Sequence, residues 1–265
     1  MHPLIDIGVN LAHDSFDDDR AAVLERAREH GVARLIITGS SVESSLQAAA
    51  LAEGDPGVLF ATAGLHPHHA ADWSPAAARV IRELTTHPAV VAVGECGLDY
   101  FRDFSPRDAQ RKAFQAQLAI ATECGLPVFL HQRDAHEDFL AVLAPVMKRL
   151  SGGVAHCFTG DGRMLDDYLD LGLYIGLTGW ICDERRGDAL RAAVAGLPLD
   201  RVLLETDAPY LLPRTLSPMP GSRRNEPMHL REVLRVAAQA MECGEEELAR
   251  ASTANAARLF RLPSG

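Results

Sequence analysis

The sequence predicts an α/β protein built as a (β/α)8 TIM barrel, and three observations carry that prediction. Eight short apolar runs alternate with longer amphipathic ones. Successive runs begin 20 to 37 residues apart, which leaves room for one helix between parallel strands joined by right-handed crossovers. A polar or ionisable residue stands at or just past the C-terminal end of most runs. The 265 residues suit one barrel, a fold that commonly needs about 250, so a single domain over 1–265 is expected.

The strands are read at 4–8, 34–39, 59–64, 90–94, 127–130, 153–155, 173–177 and 201–204. They are rich in Val, Ile and Leu and nearly continuous, as strands covered on both faces should be. Helical spacing of apolar residues fills the gaps at 17–30, 43–53, 76–86, 106–123, 134–150, 162–171, 186–195 and 227–240, and a last helix spans 245–260. Pro106 opens the fourth helix and Gly125 follows its end, the usual asymmetry of helix termini. No linker, composition break or low-complexity segment interrupts the series.

Composition is that of an ordinary globular chain, with 47% hydrophobic and 23% charged residues. A net charge of −10 argues against a basic coat for long nucleic-acid tracts, but not against a small basic mouth. Five cysteines without a C-x-x-C pair fit a reducing compartment. No run of about 18 apolar residues and no signal-peptide pattern occurs, so neither a membrane span nor a membrane partner is expected. The expected location is the cytoplasm, and the expected state a monomer.

In a (β/α)8 barrel the C-terminal strand ends meet at one rim, where active sites are built. Ordered along the chain, the residues brought there are Asp6 and Asn10, Thr38, His66, Glu95 and Asp99, His131, His156, Thr178 and Asp207. Two imidazoles and two carboxylates among them, His131, His156, Glu95 and Asp207, make a site for a divalent cation. Ligand softness suits Zn²⁺ or Mn²⁺, and Mg²⁺ if water fills the remaining positions. Such a cation makes water more acidic, and Asp207 is the candidate to take its proton. One strand-end histidine is more often structural than a ligand. Four ionisable groups on one rim reverse that, because buried charges without partners are costly.

Other residues are weighed more evenly. His66 leads the cluster His-Pro-His-His and lies nearest the rim. Cys96 and Cys157 should alternate away from the site and pack. Trp180 and Phe158 either pack loops or wall the substrate. Arg185 and Arg186 follow the seventh strand, Arg223 and Arg224 follow the eighth, and Arg133 follows His131. Arginines in such loops are candidates for substrate phosphate, against a bland reading as salt bridges to Glu184 and Glu226.

Read together, G-E-C-G-L-D at 94–99, H-Q-R-D-A at 131–135, H-C-F-T-G at 156–160 and E-T-D-A-P-Y-L at 205–211 closely resemble the TatD family of metal-dependent deoxyribonucleases. The likeness extends over essentially the whole chain, through D-I-G-V-N-L at 6–11, G-L-H-P-H at 64–68, G-W-I-C-D-E-R-R-G at 179–187 and S-R-R-N-E-P at 222–227. It implies magnesium- or manganese-dependent hydrolysis of DNA phosphodiesters from the 3′ end of single strands, with RNA as a second substrate. It implies that Glu95, His131 and His156 bind metal, that Asp207 completes the site, and that His66 contacts phosphate or metal. Many relatives carry an H-x-H pair at the end of the first strand that helps hold a second metal. Here Gly8 and Asn10 stand in those places. One firm cation site is expected, Mg²⁺ foremost, with Asp6 and Asn10 left as second-metal or supporting residues. Gln132 stands where cysteine is frequent, and its side chain should face away from that of His131.

Two other function classes remain open on the sequence. A metal-dependent small-molecule hydrolase would use the same rim on a lactone, ester or amide, with the arginines clamping a carboxylate. A non-enzymatic interaction or quality-control protein would use the acidic surface, including Glu245–Glu247.

Overall fold

A computed structural model describes residues 2–263 and contains one eight-stranded parallel sheet in the order β1 to β8. The strands are β1 Leu4–Val9, β2 Val32–Ile37, β3 Leu59–Ala63, β4 Val90–Asp99, β5 Val128–Arg133, β6 Gly153–Ala155, β7 Tyr174–Leu177 and β8 Val202–Leu204. The ring closes just past β8. There the Asp207 N–H donates to Gly8 O at 2.8 Å and the Asn10 N–H to Ala208 O at 2.7 Å. Asp6 staples the same seam, its carboxylate accepting from the Thr206 N–H at 3.0 Å and the Thr206 hydroxyl at 2.5 Å. A (β/α)8 barrel is therefore what the chain forms.

Nine α-helices lie among the described residues: α1 Arg20–Glu29, α2 Val42–Glu53, α3 Pro75–Leu84, α4 Arg107–Cys124, α5 His136–Leu143, α6 Gly162–Asp170, α7 Asp188–Val194, α8 Leu230–Ala240 and α9 Glu245–Leu259. The first eight follow their strands in turn and bury one stripe each against the barrel wall. In α4, Pro106 is the N-cap and Gly125 stops the helix with φ 69°. None of the helices is long and apolar enough to cross a membrane.

Five boundaries differ most from the sequence reading. The strand read at 90–94 continues to Asp99, and that read at 127–130 continues to Arg133, because the two keep pairing up to Asp99 opposite Arg133. The helix read to 150 ends at Leu143, two residues before Pro145, which has no N–H to give and disfavours helix in the residue before it. The helices read from 186 and 227 begin at Asp188 and Leu230, the second after a 3₁₀ turn at Pro227–His229.

Inside the barrel, Ile5, Ile7, Ile36, Phe60, Phe129, Val154 and Leu203 form an apolar plug with the end of α9. The helix is fixed there by Asn255, whose amide donates to Leu199 O at 2.8 Å and Val202 O at 2.9 Å. That plug supports the opposite, polar mouth.

Candidate metal centre

The polar mouth is a cavity of about 510 Å³ lined by Asn10, His66, His68, Glu95, His131, His156 and Asp207, among others. A register shift between Val93 and Cys96 accounts for the presence of Glu95, since unbroken alternation from outward-facing Val93 would turn it outward. On β4, Cys96 and Leu98 point outward into the helix-facing core, so Glu95 and Asp99 point inward. Glu95 is central to the cluster. Its Oε1 lies 2.9 Å from His131 Nδ1, 3.4 Å from His66 Nε2 and 3.7 Å from His156 Nε2. Asp207 Oδ1 is 4.0 Å from His156 Nε2 and accepts from the Asn10 amide at 2.9 Å.

These donors fall into two groups, His66 with Asp99 and His131, and His156 with Cys157 and Asp207, each within 4.8 Å of one another. Glu95 touches both. Imidazole nitrogens and carboxylate oxygens converging from rigid strand ends are a donor set that fits a divalent cation. The TIM-barrel position at the C-terminal strand ends fits as well.

The electrostatics follow from burial and pairing. Burial pushes the Glu95 carboxyl up, but the neighbouring His66 and His156 rings and the His131 hydrogen bond outweigh it and hold it well below the usual range. Burial pushes Asp207 up to about 7, against the pull of His156. For His156 burial favours the neutral ring, yet the carboxylates of Glu205 and Glu95 overcome it and raise the group to about 10. His66 is driven well below its ordinary value, chiefly by burial, and is neutral. Its Nδ1 accepts from the His68 N–H at 3.1 Å, so its proton sits on Nε2, facing Glu95.

Three residues outside the four expected ligands line or brace the site, Asp99 among them already placed on the rim by the sequence. Glu205 is fully buried and receives His156 Nδ1 at 2.5 Å and the Cys157 N–H at 2.6 Å. It is a carboxylate behind a histidine, which turns His156 Nε2 toward the cavity. Its room comes from glycine. A Cβ on Gly8 would stand 2.5 Å from Glu205 Oε2, and one on Gly176 would collide with Oε1. Asp99 bridges His68 at 2.8 Å and His131 Nε2 at 3.3 Å. His68 itself lines the cavity. A signal existed for Glu205. It is the first residue past its apolar run, the position His131 and His156 hold in theirs.

The other candidates separate by position. Asp6 is fully buried in the β1–β8 seam beneath the cavity, where it supports the wall. Arg133 lines the cavity, with its guanidinium 5.0 Å from the rings of both Phe101 and Trp180 and Nη1 donating to Thr159 at 3.1 Å. Arg185 and Arg186 both pair with Asp183, at 3.2 and 3.0 Å. Arg186 also lies over Trp180 at 4.4 Å. Arg224 is brought to Asp19 at 2.7 Å and Glu226 at 2.8 Å, away from the cavity. Arg223 is exposed and does not line it. The salt-bridge partners are thus Asp183 and Asp19 as well as Glu226, and Glu184 is not among them. Cys96 packs in the core, whereas Cys157 does not point away. Its φ of 46° breaks the alternation, and it lines the cavity. Arg102, unremarked in the sequence, stands at the mouth.

Comparison with known proteins adds a family to this geometry. The family model described as TatD related DNase matches residues 5–261. A protein of Musicola paradisiaca (strain Ech703) named 3′-5′ ssDNA/RNA exonuclease TatD is 53% identical over 259 residues, 98% of either chain. One of the same name from Erwinia billingiae (strain Eb661) is 51% identical over 261 residues, 98% of this chain and all of its own. Among solved structures, the TatD homologue YJJV of Escherichia coli K12 superposes with a TM-score of 0.90 at 31% identity, covering 98% of both chains.

Proposed function

This chain belongs to the TatD related DNase family, and from that premise we propose that it is a metal-dependent exonuclease removing nucleotides from the 3′ end of single-stranded DNA and of RNA. The names of relatives at about half identity over the full chain support the substrate and the polarity. The observation that carries the reading is the convergence on Glu95 Oε1 of nitrogens from three histidines, with Asp207 beside His156.

In this reading Glu95, His131, His156 and Asp207 hold one divalent cation, Mg²⁺ by preference. When bound, it supplies positive charge for the phosphoryl oxygens and makes water a stronger acid at neutral pH. The remaining chemistry belongs to the chain. Asp207, oriented by Asn10, takes the proton from the attacking water. Glu205 fixes the His156 ring, so that Nε2 faces inward. His66 presents its Nε2–H as a donor to a phosphate oxygen. Arg102 and Arg133 give the mouth of an otherwise acidic protein local positive charge. Arg185, Arg186, Arg223 and Arg224 are not needed at the scissile phosphate.

The reading takes the protein to act as a monomer. Five free thiols support a reducing compartment, the cytoplasm. The test is digestion of a 5′-labelled single-stranded oligonucleotide with Mg²⁺, Mn²⁺ or chelator. A ladder shortening from the 3′ end with metal, and none with chelator, is expected. Cleavage that persists in chelator, or an intact strand beside hydrolysis of a lactone or amide, would defeat the reading.

A further inference from the structure

A second cavity of about 280 Å³ adjoins the metal centre. It shares Arg133, His156 and Trp180 with the larger one, so a group bound in either lies next to the other. Its floor is apolar and aromatic, from Phe158 packed edge-on against Tyr168 with centroids 5.8 Å apart. Trp180 forms a wall. The guanidinium groups of Arg133 and Arg186 lie 5.0 and 4.4 Å from its ring centroid, and Phe101, 58% exposed, lies 5.0 Å from the Arg133 guanidinium.

The chemistry of this lining selects a planar, polarisable group. A ring can lie against Trp180 or slide beneath a guanidinium plane, as nucleobases do in single-strand sites. The size agrees, since 280 Å³ falls just under the roughly 300–1,000 Å³ of drug-sized ligand sites and suits one heterocycle. Most polar side chains around the cavity already have partners. Gln132 donates to the Tyr168 hydroxyl at 2.8 Å and accepts from the Ala135 N–H at 2.9 Å. Thr159 accepts from Arg133, and Asp161 caps Met164. Asp134 lies 3.8 Å from Arg133 Nε. Recognition there runs through ring faces rather than base edges.

We propose that this cavity receives the base of the nucleotide being released, stacked on Trp180, while its 5′ phosphate lies at the metal centre and Arg133 spans the two. The inference rests on the exonuclease reading above. It makes the enzyme tolerant of sequence but sensitive to the presence of a terminal base, and favours purines over pyrimidines through stacking area.

The experiment compares two 5′-labelled single strands of one sequence, ending at the 3′ side in a normal adenine nucleotide or in a tetrahydrofuran abasic residue. Wild-type protein with Mg²⁺ is expected to prefer the intact end by about tenfold in kcat/KM, mainly through KM, the scale on which one stacked base contributes. Trp180→Ala should bring the ratio close to one, and Trp180→Phe, which keeps a ring, should restore most of it. Circular dichroism checks that each variant folds, and the wild-type ratio with the Phe variant decides the matter if the Ala variant does not fold. Equal wild-type cleavage of both ends overturns the base pocket while leaving the exonuclease reading standing, as does a tenfold preference surviving in folded Trp180→Ala. Failure to shorten either strand with any metal overturns the exonuclease reading, and the pocket with it.

Discussion

The two mouths of the barrel are made from the same eight strands and obey opposite rules. At the N-terminal mouth, large apolar side chains such as Ile5, Phe60 and Phe129 meet Leu259, Phe260 and Leu262 at the end of the chain. Burial alone stabilises such a layer, and volume matters more than atom position. At the C-terminal mouth, Glu95, Asp99, His156 and Glu205 are buried as deeply, but each is tolerated only because a partner stands within hydrogen-bond reach. The layers touch directly, with the Phe129 ring 4.7 Å from that of His156. The apolar end therefore holds the polar end rigid, and changes at the two mouths should separate stability from chemistry.

The largest effect is expected from His156→Ala, which removes a proposed ligand. Oligonucleotide cleavage should fall by well over about 100-fold, beyond the loss typical of an outer partner, while the far-ultraviolet spectrum stays native. A variant with near-normal cleavage would break the contrast between the mouths.

Glu205→Gln comes next, because it keeps the shape and removes the charge behind His156. Metal affinity should drop about 10- to 100-fold, read by Mn²⁺ titration. Gly176→Ala should act in the same direction, since its Cβ would displace the Glu205 carboxylate. At the other mouth, Phe260→Ala should lower the unfolding free energy by about 3–5 kcal/mol in urea titration. The turnover of the remaining folded protein should not change.

The smallest effect belongs to Asp6→Asn. Burial raises Asp6 from its ordinary 3.8 to about 7. The folded state thus holds this proton more firmly than the unfolded chain. The stability it contributes is complete below about pH 4 and is lost as the pH rises to 7. Asp6→Asn should flatten that fall in thermal melts while the Asn amide stays within the seam. An unchanged pH profile, or lost metal binding, would give Asp6 a different role.

The comparison also explains what the sequence made legible. Hydrophobic period and turn residues carry the barrel, because each strand and helix is a local pattern. Glu95, His131, His156 and Asp207 were visible because each directly ends or closely follows an apolar run. Asp99 is placed on the rim by the sequence, but its bridge between His68 and His131 depends on β4 and β5 pairing as far as Arg133. Glu205 looked like one acid beside another in E-T-D, and its role depends on space left by Gly8 and Gly176, far away in sequence. The arginines divided on partners that no local pattern shows, since Asp19 meets Arg224 from 205 residues away.

Calorimetric titration of Mn²⁺ into wild-type protein and His156→Ala at several pH values tests the metal centre most directly. Without metal His156 keeps its proton up to about pH 10, and a ligand must give up that proton to bind. Wild-type protein should therefore bind one equivalent firmly, release protons, and bind more tightly as the pH rises, while His156→Ala loses the site. Binding of equal strength in the variant, or affinity indifferent to pH, would contradict a cation held by these strand-end residues.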